Sequence, residues 1–287
     1  MAIAAVFLAK GQEPGNFQFK EIPAEAPIPT FRHPWQGKRV VILGDSISDP
    51  NLSKYFGNKM WWSFLADWLE WDVQSYAVSG REWNDIPRQA GQIERADAIL
   101  IFMGTNDYNM GVPTGEWFTE TEETVLAGAG KEATEQVRRR RLPVMDSGTV
   151  KGRINMALSL LKSRFPDIPV VLLTPIHRST FSVASNNIQP DETYANGAGE
   201  FFDSYIEAVK EAGNIWAVPV IDLNALSGLY PLLPEQEKYF RAMEELMKRA
   251  NPDFGPVKDL LHPSIEGNRR IASVLYYQLA GIVCGDL

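Results

Sequence analysis

The feature that most restricts how this chain can fold is a rhythm of short aliphatic runs, each closed by a turn and followed by a stretch of helical spacing. Arg39-Val-Val-Ile-Leu43, Val73 to Val78, Ala98 to Met103, Val170 to Thr174 and Ala217 to Ile221 read as strands. Between and after them, Tyr55 to Trp71, Val150 to Phe165, Glu200 to Ala212 and Ile265 to Ala280 carry apolar residues at helical intervals. Strands without an alternating polar face need cover on both sides, and right-handed crossovers place helices there. The expectation is an α/β protein with a parallel sheet of about five strands between two helical layers. Such sheets take ligands at the carboxyl ends of their strands, and Gly44, Gly80 and Gly104 each lie just past such an end.

No linker interrupts the pattern after Lys38, so residues 38–287 read as one domain, with a longer-than-usual connection at 108–149. Residues 1–37 read as an extension whose Pro14, Pro23, Pro27, Pro29 and Pro34 favour an extended arm on the domain surface. Ala2 to Ala9, within residues 1–10, resembles the end of an export signal without its basic start, so a periplasmic or extracellular protein is expected, with an ordinary N-terminal strand as the alternative and a cytoplasmic place left open. The 28 basic against 36 acidic residues leave a charge of −8, which repels phosphate backbones, so nucleic acid is not an expected partner. The single cysteine, Cys284, allows no internal disulfide or cysteine metal cluster. No run approaches the roughly 20 apolar residues that cross a bilayer, so no stable membrane insertion is expected. Oligomeric state is left open.

Four segments carry chemistry: Gly44-Asp45-Ser46, Ser79-Gly80, Gly104-Thr105-Asn106-Asp107 and Asp259-Leu260-Leu261-His262. Ser46, after the first strand, offers a hydroxyl nucleophile, although Ser46 or Ser48 could equally cap a short helix. Asp259 and His262 stand three apart before Pro263, where one turn of backbone lets the carboxylate hold Nδ1–H and leaves Nε2 to take a proton. Asn106 brings a side-chain amide and Gly80 an unshielded backbone N–H, both suited to a developing oxyanion, although Asn and Gly are also ordinary loop residues. Of the other histidines, His33 sits in the proline-rich arm, and His177 follows the fourth strand without an acid nearby in sequence. Trp83 and Trp117 fall where the mouth of a site is expected and could stack on sugar rings; Asp45 and His177 complete the candidates for substrate binding. Trp61, Phe64, Leu65, Trp68 and Trp71 are read as a core face.

In their order and joint occurrence these segments resemble the four blocks of the SGNH hydrolase, or GDSL-type esterase and acylhydrolase, family over about Arg39 to Ala280. The resemblance implies a flavodoxin-like three-layer α/β/α sandwich that works without metal or organic cofactor. It implies Ser46 as nucleophile, His262 as base and acid, Asp259 as its orienter, and the Ser46 N–H, Gly80 and Asn106 as the oxyanion hole. The name motif departs at Ile47 and Ser48, positions that do no chemistry. The reaction implied is ester hydrolysis through an acyl-enzyme, on a small-molecule or glycan ester, with removal of acetyl or other short acyl groups from carbohydrate first. A lysophospholipase or thioesterase activity, or a non-catalytic flavodoxin-like binding module, stands as the alternative. Gly128-Ala-Gly130-Lys-Glu-Ala133 lacks the preceding strand of a dinucleotide fingerprint and reads as a loop or helix start, and Arg138 to Arg141 as a solvated helix end.

Overall fold

A computed structural model of the protein describes residues 32–241 and 258–284. Expectations for residues 1–31, the export-like stretch included, lie outside the described residues. The strands are β1 (Arg39–Gly44), β2 (Asp72–Ser75), β3 (Ala98–Phe102), β4 (Phe118–Ala127), β5 (Thr134–Pro143), β6 (Val170–Leu173), β7 (Phe181–Ala184), β8 (Asn187–Gln189), β9 (Val220–Ile221), β10 (Phe240–Arg241) and β11 (Lys258–Pro263). The helices are α1 (Pro50–Phe56), α2 (Trp61–Leu69), α3 (Ile86–Ala90), α4 (Thr105–Asn109), α5 (Val150–Arg164), α6 (Phe202–Trp216), α7 (Leu223–Leu226) and α8 (Ile265–Leu279).

Five strands form the parallel sheet in the order β2-β1-β3-β6-β9. Counted along the chain that order is the flavodoxin-like one, and it puts the end of β1 between two neighbours. Val40, for example, lies between Val73 and Ala98. One face of β1, β3 and β6, carrying Val41, Leu43, Ile99, Ile101 and Leu172, is packed by α3, α5 and α6. The other, carrying Val40, Ile42, Leu100, Val171 and Leu173, is packed by α2, α7 and α8. Each fully buried aliphatic side chain here contributes ~1.5–3 kcal/mol relative to exposure, which is what holds the strand ends in place.

Several details differ from the expectation. The stretch from Tyr55 to Trp71 is two helices, because Gly57 takes the left-handed conformation (φ 63°) and closes α1. Trp61, Phe64, Leu65 and Trp71 are buried as expected of a core face, but Trp68 is 40% exposed. The arm, from His33 on, does not lie on the surface: Trp35 is fully buried against Trp71. Gly128 to Ala133 belongs to the turn of an antiparallel ribbon made by β4 and β5, and Arg138 to Arg141 lie in β5 rather than at a helix end. Their partners are across the ribbon, Glu120 for Arg139 and Arg141 and Glu123 for Arg140, as cross-strand pairs rather than pairs along a helix. A second sheet, β10-β11-β7-β8, also escaped the sequence pattern.

Candidate active site

The site is built where β1, β3 and β11 end. Ser46 stands two residues beyond β1, and its Oγ is 2.8 Å from Nε2 of His262. Nδ1 of that ring is 2.9 Å from both carboxylate oxygens of Asp259. Hydroxyl, imidazole and carboxylate thus form one hydrogen-bonded chain, and all three residues are buried, with Ser46 6% and His262 8% exposed. A flat strand would turn Asp259 and His262 to opposite faces. β11 avoids this with a bulge: Phe240 pairs with Pro263 and Arg241 with Asp259, so one step on β10 answers four on β11. Asp259 then folds back to accept the backbone N–H of His262 at 2.9 Å. Burial pushes the Asp259 carboxyl up, but the His262 charge and donors, with Arg241, outweigh it and leave the group below the usual carboxylate range. Phe181 meets the His262 ring edge-on at 5.4 Å and confines it.

The oxyanion candidates come from two further loops. Gly80 has φ 75°, a conformation open to glycine, and a side chain added there would meet nothing within 4 Å, so its backbone borders open space. Asn106, in the first turn of α4, donates one amide hydrogen to the Arg81 carbonyl at 2.9 Å, which fixes the amide beside the Gly80 loop.

Sequence reading missed the residues that tie these loops together. Asp49 accepts the Asn51 N–H at 2.8 Å as the cap of α1, and its second oxygen accepts the Ser79 N–H at 2.8 Å, joining the serine loop to the glycine loop. An aspartate directly before Pro50 is a capping signal, and that much was readable. Gln89 grips the Gly44 backbone, N–H at 2.9 Å and carbonyl at 2.8 Å. Asn58 and Asn268 both donate to the Pro263 carbonyl, at 3.1 and 3.2 Å, so the loop after His262 is held by elements from both ends of the chain. Nothing in the spacing of Gln89, Asn58 or Asn268 marks these contacts.

Beneath Asn106, Asp107 is fully buried, accepts the Trp83 N–H, and pairs at 2.8 Å with Arg153, which also meets Glu82 at 2.6 Å. Burial pushes the Asp107 carboxyl up to about 7, against the pull of Arg153. Asp45 is likewise raised to about 7, by burial first, with the Ile47 N–H opposing and the Asp107 charge adding to the rise.

The four candidates for substrate contact fare differently. Trp83 has no exposed surface, and Trp117 is 8% exposed with its indole N–H on Glu211 of α6, so neither presents a free face to a sugar. Both were placed by their closeness in sequence to the site loops, but the chain turns these apolar rings into the core. Asp45 is 2% exposed and turned inward, its carboxylate on the Ile47 N–H. His177 is partly open and has its acid after all, Glu192 at 2.6 Å from Nδ1, fifteen residues on. Among the described residues no group of three or more His, Cys, Asp or Glu could hold a metal ion, and no helix is long and apolar enough to cross a membrane.

The strand order and the chemistry at the carboxyl edge define an α/β sandwich of the hydrolase type. A model of the GDSL-like lipase/acylhydrolase family matches residues 42–270, and the chain belongs to that family. This membership supports an ester hydrolase. Among solved structures the chain is similar to a protein from Lactobacillus plantarum, at 22% identity and a TM-score of 0.62 over 86% of this chain and 98% of that one. It is also similar to one described as a possible lipase from Chitinophaga pinensis, at 20% identity and a TM-score of 0.59 over 84% and 97%. Likeness at this identity speaks for the fold. No protein of curated function matched the sequence.

Proposed function

We propose that the protein is a serine esterase whose acyl-enzyme forms on Ser46, and that its substrates are acetyl or other short-chain esters of carbohydrate. The observation that carries the mechanism is the 2.8 Å contact between Ser46 Oγ and His262 Nε2, with both Asp259 oxygens 2.9 Å from Nδ1. Asp259 fixes the tautomer in which Nε2 is the free base, so the serine proton passes to Nε2 as Oγ bonds to the carbonyl carbon. Negative charge gathers on the carbonyl oxygen, where the Ser46 and Gly80 N–H groups and the Asn106 amide receive it. Collapse expels the alcohol with the proton from His262. Water, deprotonated by the same ring, then releases the acid and restores Ser46.

The preference for small acyl groups on a polar alcohol is supported by the character of the insertion. Instead of an apolar lid, 118–143 forms a ribbon studded with Glu120, Glu123 and Arg138 to Arg141. Hydrolysis of p-nitrophenyl acetate, octanoate and palmitate tests the reading. Acetate is expected to be cleaved best, and Ser46→Ala to lower kcat by on the order of 10⁴- to 10⁶-fold. A preference for palmitate would refute the short-acyl part, and full activity in Ser46→Ala would refute the nucleophile.

A further inference from the structure

One turn along α4 from Asn106 stands Asn109, on the same side of the helix. It lines a cavity of about 210 Å³ together with Tyr108, Arg178, Gln189, Tyr194 and their neighbours in 188–197. That is several times the roughly 30 Å³ share of a liquid water, and small for a long acyl chain. Three buried side-chain atoms without a partner belong to residues of this one wall: Nε of Arg178, Nδ2 of Asn109 and Oε1 of Gln189. Arg178 itself is 1% exposed. Its other nitrogens are engaged, Nη1 by Asn109 Oδ1 and Nη2 by the Ser179 and Pro190 carbonyls, and its guanidinium lies 5.6 Å over the Tyr108 ring. The fork is therefore fixed, with Nε the one nitrogen left without a partner. Buried donors and acceptors left without partners cost about 1–3 kcal/mol each, so three along one cavity mark a place where something polar completes them.

The chemistry of the wall selects the guest. Two donors and one acceptor suit hydroxyl groups, which give and take hydrogen bonds at the same oxygen. Tyr194, 61% exposed, supplies an aromatic ring at the rim, against which the apolar face of a sugar ring can lie. An anion is disfavoured, because the Arg178 charge already faces Glu192, Asp191 and Asp259. We infer that this cavity is a subsite for a neutral, hydroxyl-bearing ring, a monosaccharide unit of the ester's alcohol, held by Arg178, Asn109 and Gln189 next to the oxyanion helix. The inference rests on the esterase reading for its place in turnover, but not for binding.

Two measurements separate them. In the first, Ser46→Ala protein is titrated with methyl xyloside, methyl glucoside and glucuronate by calorimetry. A neutral glycoside is expected to bind, and Gln189→Leu or Tyr194→Ala introduced into that protein is expected to weaken it at least ~10-fold, with unchanged near-ultraviolet circular dichroism. In the second, the ratio of kcat/KM for an acetylated glycoside to that for p-nitrophenyl acetate is expected to fall at least ~10-fold in Gln189→Leu. Ester cleavage with no glycoside binding and an unchanged ratio would overturn the subsite, leaving it a water-filled cavity, while the esterase reading survived. Glycoside binding that depends on Gln189, with no ester cleaved, would support the subsite and refute the esterase reading. Tighter binding of glucuronate than of the glucoside would overturn the neutral assignment.

Discussion

In the proposed mechanism Asn106 has two jobs for one amide. One hydrogen goes to the Arg81 carbonyl, which sets the plane of the group, and the proposal assigns the other to the charged carbonyl oxygen. Asn106→Ala is therefore expected to lower kcat by on the order of 10²- to 10³-fold while KM and the melting temperature move little, as for loss of one oxyanion donor. An unchanged kcat in steady-state assays would take Asn106 out of the mechanism. That Ser46, Asp259 and His262 would come together was legible because acyl transfer needs those residue types at strand ends and the chain has only three histidines. Trp83 and Trp117 were not, since loop sequence does not say which way a ring turns. Glu192 was missed as the acid of His177 because fifteen residues of chain separate them.

At the scale of elements, the β4–β5 ribbon is only loosely tied to the core. Between Thr119 and Leu142 most of its residues are exposed, and the Glu–Arg pairs along it are exposed ion pairs of about 0.2–1 kcal/mol each. Its base is fastened differently: Asn155 donates to the carbonyls of both Trp117 and Val144, at 3.0 and 2.9 Å. Replacing residues 120–141 by a short Gly/Ser turn is expected to shift the calorimetric melting temperature by no more than a few degrees. A loss of cooperative unfolding would show that the ribbon is structural after all. The parallel strands were legible from their unbroken aliphatic runs. The ribbon was not, because a strand pair wet on both faces has no apolar alternation to read. The bulge of β11 was equally silent, being set by pairing with β10.

For the whole molecule, the raised carboxyls make stability depend on pH in a direction opposite to the familiar acid denaturation. Burial pushes Asp45 and Asp107 up to about 7 in the folded protein, against 3.8 for a freely hydrated aspartate. Between about pH 4 and 7 the native state keeps protons that the unfolded chain has released, so stability falls as pH rises through that window. Asp259, shifted the other way, contributes above its unfolded value and loses that contribution as pH drops below about 4. The urea midpoint is expected to peak near pH 4–5. Asp45→Asn, which keeps an acceptor for the Ile47 N–H, should flatten the decline and leave the variant the more stable protein at pH 8, each unit of raised pKa corresponding to about 1.4 kcal/mol. An identical slope in the two proteins would show that Asp45 ionises without penalty.

The hydroxyl and the imidazole that share a proton are 216 residues apart. If ester cleavage runs through this pair as proposed, a ribosome must deliver nearly all of the polypeptide before the first ester can be cut, and a change that pulls β11 away from the end of β1 is expected to silence the protein while most of the sheet stays intact. On that mechanism turnover is expected to serve as a gauge of closure between the two ends, fading in a denaturant series before the far-ultraviolet signature of the body.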